Sequence, residues 1–106
     1  MLVAMKHELS IAEEFGPQLA DGTLAARFRQ RRIEPYLPLC EQIVLDFTHV
    51  RSANSSFINA LIAGTIEEHG QTALAKLVFK GCNAVVRVLV ESAVELGLEK
   101  AKRVDA

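Results

Sequence analysis

The residues of this chain that could do chemistry fall in two short stretches. One is Thr48-His49-Val50-Arg51-Ser52-Ala53-Asn54-Ser55-Ser56, which follows an apolar run; the other is Lys80-Gly81-Cys82-Asn83. Hydroxyls beside the free backbone amides of a helix start make a place where an anion is electrostatically welcome, so Ser55 and Ser56 are candidates to meet or carry a phosphate. The plain structural alternative is that Ser55 or Ser56 only caps the helix. Cys82 lies just ahead of a helix start, where thiolate formation is favoured, and His49 on the neighbouring loop offers a base; together they define a cysteine-dependent enzyme as one alternative. Against it stand the missing local signature and the lack of an orienting third group, and Cys82 also reads as a small packed residue.

Several classes are set aside by what is missing. Lys and Arg total 12 against 13 Asp and Glu, and a net charge of -1 supplies no long-range attraction toward polyanions. Arg27, Arg29, Arg31 and Arg32 are clustered, but on a regular helix they spread around the axis, and no aromatic platform accompanies them, so nucleic acid is not expected as a partner. Cys40 and Cys82 form no CxxC, and His7, His49 and His69 have no ligand spacing, so neither metal nor disulfide framework is expected. There is no P-loop or GxGxxG, and no cofactor is expected. The opening MLVAMKHELS is too short an apolar run for a secretory signal, and no segment stays apolar long enough for a membrane span. A cytoplasmic protein with free thiols is expected.

A chain of 106 residues, 50% hydrophobic, suits one compact domain over 1–106. Met1 to Met5 can form a first strand, followed by an irregular connection through Glu13-Glu14 and Gly16-Pro17. Asp21-Gly22-Thr23 reads as a helix start, with the helix running through Leu24 and Phe28 to about Glu34, since Pro35 disfavours helical geometry before it. Ile43-Val44-Leu45-Asp46-Phe47 reads as a central strand buried on both faces. The next helix is the clearest, capped by Ser55 or Ser56, with Ile58, Leu61, Ile62 and Thr65 at helical spacing and Gly70 at its C-terminal cap.

Leu77-Val78-Phe79 supplies another strand, and Asn83 caps a final helix that stops near Gly97. The β-branched run Ala84 to Val90 also fits a strand, but Arg87, Glu91 and Glu95 fall four apart, which places one polar stripe on a helix. Alternating strands and helices imply an α/β fold with a mostly parallel sheet, right-handed crossovers and about three to four covering helices. In such sheets the loops after the strands form the binding edge. If the strands before the two stretches are neighbours, Asp46, Thr48, His49, Asn54, Ser55, Ser56, Gly81, Cys82 and Asn83 share that edge. A small ligand or nucleotide at this edge is a second alternative. Ser56, Asn59, Ala60, Ala63, Gly64 and Glu67 form a small-residue face of the clearest helix, open either to a partner protein or to another helix of the same domain.

IVLDFTHVRSANSSFINALIAG resembles the core of STAS domains of the anti-sigma-factor-antagonist type: a strand with an aspartate, a short loop, a serine pair and a helix. LAKLVFKGCNAVVRVLVESAVELGL is similar to the strand and helix that follow, and LAARFRQRRIEPYL to the helix that precedes. The closest likeness is to the STAS-like domains of unknown function, whose aspartate-containing strand, serine-rich turn and Phe-led helix suit Asp46, Ser55, Ser56 and Phe57. The resemblance implies a non-enzymatic bacterial signalling module with a kinase-like or anti-sigma-type partner. It places Ser56 on the serine that is phosphorylated in the antagonists and Ser55 on its neighbour. Asn54 stands where the antagonists have an acid and Phe57 where they have a glycine, which puts a bulky side chain at the expected partner surface. A terminal strand and helix of longer relatives is not expected after Gly97, and an open sheet edge and a homodimer are expected in consequence.

Overall fold

A computed structural model describes residues 5–104. Three parallel strands form the main sheet in the order β1-β3-β5, with β1 at Lys6–Ser10, β3 at Gln42–Asp46 and β5 at Leu77–Lys80. Two short strands, β2 at Gln18–Leu19 and β4 at Ser52–Ala53, pair in parallel beside it. The helices are α1 (Ile11–Phe15), α2 (Gly22–Phe28), α3 (Ser55–Ile58), α4 (Gly64–Lys76) and α5 (Ala84–Val104). The mixed α/β class and parallel sheet are as the alternation of the sequence implies, and β3 is indeed the central strand.

The first strand differs from expectation. Residues 1–4 of the predicted Met1 to Met5 strand lie outside the described residues, and Met5 precedes the strand. β1 begins at Lys6 because period-two alternation then sends His7 and Leu9 inward and Lys6, Glu8 and Ser10 outward. The acidic stretch is also ordered: the Ser10 hydroxyl accepts from the Glu13 amide at 3.3 Å and starts α1, with Glu13 and Glu14 in the first turn, where the helix dipole favours them.

The strand expected to be buried on both faces is so, with Ile43 and Leu45 at 0% and Val44 at 3% exposed, but its two faces are covered differently. Ile43 and Leu45 belong to the single hydrophobic core with Leu9, Leu77, Leu61, Ile62 and Val86, whereas Val44, although 3% exposed, is not part of that cluster. Register places Val44 between Glu8 and Val78, and the Lys80 ammonium reaches the Glu8 carboxylate at 3.2 Å across it. An ion pair and the neighbouring Lys6, Gln42 and Asp46 cover this face where a parallel sheet ordinarily has helices.

Both helices expected to be regular contain a widened π-helical turn, Arg29–Ile33 after α2 and Asn59–Ala63 between α3 and α4. The stripe Ile58, Leu61, Ile62 and Thr65 is fully buried as its spacing requires, and the Thr65 hydroxyl is satisfied by the Leu61 carbonyl at 2.8 Å. Gly70 ends the regular run at φ 68°, and a further helical stretch to Lys76 follows it. The last segment is helical, with Arg87, Glu91 and Glu95 exposed as the polar stripe demands. It does not stop at Gly97. That glycine is buried mid-helix because α5 crosses the preceding helix there: a Cβ would stand 2.8 Å from the Ile66 Cβ and 3.0 Å from the Ala63 carbonyl oxygen.

Candidate functional site

The loops after β3 and β5 open on one edge, since the two strands are parallel neighbours with Asp46 opposite Lys80. The Asp46 carboxylate accepts from the Thr48 amide at 2.9 Å and from the Thr48 hydroxyl at 2.6 Å. These bonds, the hydroxyl first, hold its pKa below the usual carboxylate range against a desolvation that raises it, with Lys80 and His49 adding smaller attractions. Gly81, at φ 71°, lies against this pair so closely that a Cβ would fall 2.2 Å from the Thr48 hydroxyl oxygen. Asp46, Thr48 and Gly81 therefore form a brace under the edge.

Two asparagines finish the brace. Asn54 has an extended backbone, its side-chain oxygen accepts from the Phe57 amide at 2.9 Å, and its side-chain nitrogen donates to the Ala20 carbonyl at 2.9 Å. Asn83 does the same for α5, accepting from the Val86 amide at 2.8 Å and donating to the Val50 and Arg51 carbonyls at 3.2 and 3.1 Å. The cap of the central helix is thus Asn54, where a serine was expected. Asparagine wins because its amide both caps and donates, tying the helix start to the segment after β2. Ser55 and Ser56 are left as the first two helical residues, exposed, with no hydrogen-bond partner for either hydroxyl among the described residues.

Beside them stands the start of α2, capped by the Asp21 carboxylate, which accepts from the Thr23 and Leu24 amides. Gly22 meets Ser56 there: a Cβ on Gly22 would lie 2.6 Å from the Ser56 hydroxyl oxygen. Sequence reasoning read Asp21-Gly22 only as a helix start; a glycine at the first helical position, where alanine is the better helix former, was the available sign of a close approach.

Other expected site residues are elsewhere. Phe57 is not at the surface but 1% exposed, edge-on to Phe15 at 4.9 Å, so it anchors the helix start to α1. Ala63 is 3% exposed against α5, and Gly64 carries the Arg29 side chain, whose Nε would be 2.9 Å from a Cβ there. Asn59 and Ala60 are half-buried in the same turn. The middle of the small-residue face is thus covered by this chain, by α5 at Ala63 and by the Arg29 side chain at Gly64, while Ser56 and Glu67 at its ends stay exposed. Cys82 and His49 line different cavities. Cys82 sits with Phe79, Gly81, Arg87, Val90 and Glu91, whereas His49 borders an acidic cleft with Glu8, Ser10, Glu13 and Asp46. Burial pushes the Cys82 thiol up, with Asp46 adding to it and Arg87 opposing.

The chain combines a parallel sheet with a helix that springs from a serine turn after the central strand. Residues 25–87, more than half of the chain, match the sequence model of a family described as the STAS-like domain of unknown function (DUF4325). The chain belongs to that family. The matched span includes Asp46, Asn54, Ser55, Ser56, Gly81 and Asn83. No curated protein and no solved structure gives a match beside it. Among the described residues no helix is long and apolar enough to cross a membrane.

Proposed function

We propose that this chain is a non-enzymatic regulatory module that docks on a partner protein of the kinase-like or anti-sigma type through the Asn54-Ser55-Ser56 turn, with Ser56 as the phosphoacceptor. One observation carries the reading: Asn54 takes over the cap, so both serine hydroxyls stand exposed and unengaged on a helix start tied to Ala20. The likeness of the strand, serine pair and helix to anti-sigma-factor antagonists supports it.

A phosphate on Ser56 adds nearly two negative charges. The hydroxyl rests against the bare Cα of Gly22, and Asp21 already occupies the Thr23 and Leu24 amides. A phosphate therefore finds no room against Gly22 and the Thr23 and Leu24 amides already taken, and turns outward, changing the shape and charge of the docking surface together.

Mass spectrometry of the protein isolated from its native host across growth conditions tests the switch. Phosphate on Ser56 is the expected result; Ser55 and Ser56 unmodified under every condition removes it. Partner capture with Ser56→Ala and Ser56→Asp tests the docking: identical partners for both variants and the native chain would move the contact surface away from the turn.

A further inference from the structure

Three of the four arginines that a regular helix would scatter come together. The π-helical turn Arg29–Ile33 takes one residue more per turn than an α-helix, so positions four and five beyond Arg27 both stand beneath it. Arg27, Arg31 and Arg32 consequently line one groove with Leu24, Phe28, Glu14 and Phe15, of about 280 Å³. Arg29 alone leaves the group. It turns inward to pair with Glu34 and is 13% exposed.

The groove has a floor, a rim and unbalanced charge. Phe28 is 6% exposed, edge-on to Phe15 at 5.2 Å, and the Arg32 guanidinium lies 5.6 Å over its ring while bonding Glu14 at 2.8 Å. Leu24 on the rim is 45% exposed. Arg27 and Arg31 are exposed, and neither has a carboxylate partner among the described residues. In a chain of net charge -1 this is a local surplus of two cations beside an unpartnered leucine.

We infer that the groove between α1 and the arginine-bearing turn after α2 is a docking surface for an acidic segment of a partner protein that carries an apolar anchor. The anchor packs on Leu24 and Phe28, and its flanking carboxylates meet Arg27 and Arg31, whose planar guanidinium groups suit bidentate carboxylate pairing. A nucleic acid fits less well. Phe15 and Phe28 meet edge to face in the floor and offer no open ring face for a base, and the weak overall charge supplies no steering. The surface lies outside the serine turn and stands independently of the proposed switch.

The test uses the whole purified chain and fluorescent synthetic peptides: a helix-forming peptide with leucines at i and i+4 and glutamates around them, its lysine counterpart, and a glutamate peptide without leucine. Fluorescence anisotropy should show binding of the first, weakened by added salt, and at least about ten-fold weaker binding of the other two. Arg27→Glu with Arg31→Glu should weaken it by at least about ten-fold, and the milder Arg27→Ala and Leu24→Ala should each weaken it measurably with an unchanged urea midpoint. Ser56→Ala should leave it unchanged. The proposal is overturned if the acidic peptide does not bind, if the lysine peptide binds equally, if the arginine and leucine variants bind as the native chain does, or if single-stranded DNA displaces the peptide through the same arginines.

Discussion

The Asn54 and Asn83 turns are built alike and end differently. Each follows a parallel strand, each asparagine caps a helix with its oxygen, and each ties a second loop down with its nitrogen. After Asn83 the chain presents Ala84 and Val85, with Val85 59% exposed; after Asn54 it presents two free hydroxyls. Equal scaffolds with unequal tips separate what holds the edge from what the edge displays. The asparagines and Gly81 are the scaffold, and the serines are the display.

Substitutions can break this comparison. The largest expected effect is at Gly81, where alanine combines a left-handed backbone with a clash against the Thr48 hydroxyl and amide; Gly81→Ala should cost about 3 kcal/mol or more in urea unfolding. Asn54→Ala and Asn83→Ala should each cost about 1–2 kcal/mol, and Asp at either position should recover the cap but not the bond to the second loop. A loss confined to one asparagine would show that the turns are not equivalent. Gly22→Ala should be destabilising in the native chain and less so beside Ser56→Ala, which removes the hydroxyl clash but leaves the Ser56 carbonyl 3.1 Å from the new Cβ, a coupling of about 1 kcal/mol measured by a double-mutant cycle.

The brace has a pH signature. The folded-state pKa of Asp46 is depressed, so its contribution is present above the unfolded-state pKa and lost as pH falls through the folded one. Acid unfolding followed from neutral pH downward should therefore be shallower at its low-pH end in Asp46→Asn than in the native chain. The smallest effect belongs to the display: Ser55→Ala and Ser56→Ala should each change stability by no more than about 0.5 kcal/mol.

Much of the scaffold was legible in the sequence. The strands at Ile43–Leu45 and Leu77–Phe79 declare themselves as short apolar runs, and Asn83 is a cap with nothing better beside it. The cap at Asn54 was less visible, because three consecutive residues are all good caps and only the reach of Asn54 to Ala20, set by the β2–β4 pairing, decides among them. The same tertiary dependence hid Gly97, which reads as a helix end until another helix is laid across it, and the way Val44 is covered, with an ion pair between distant Glu8 and Lys80 spanning its strand. The arginine groove depended on a π-helical turn that no local spacing announces.

The central claim is that the serine tip, and not the equivalent tip after Asn83, meets the partner. A photo-crosslinking residue placed at position 55 or at position 85, followed by irradiation in the native host, addresses it directly. A discrete covalent adduct with one protein from position 55 and none from position 85 is the predicted result, whereas an adduct from position 85 alone would contradict the account.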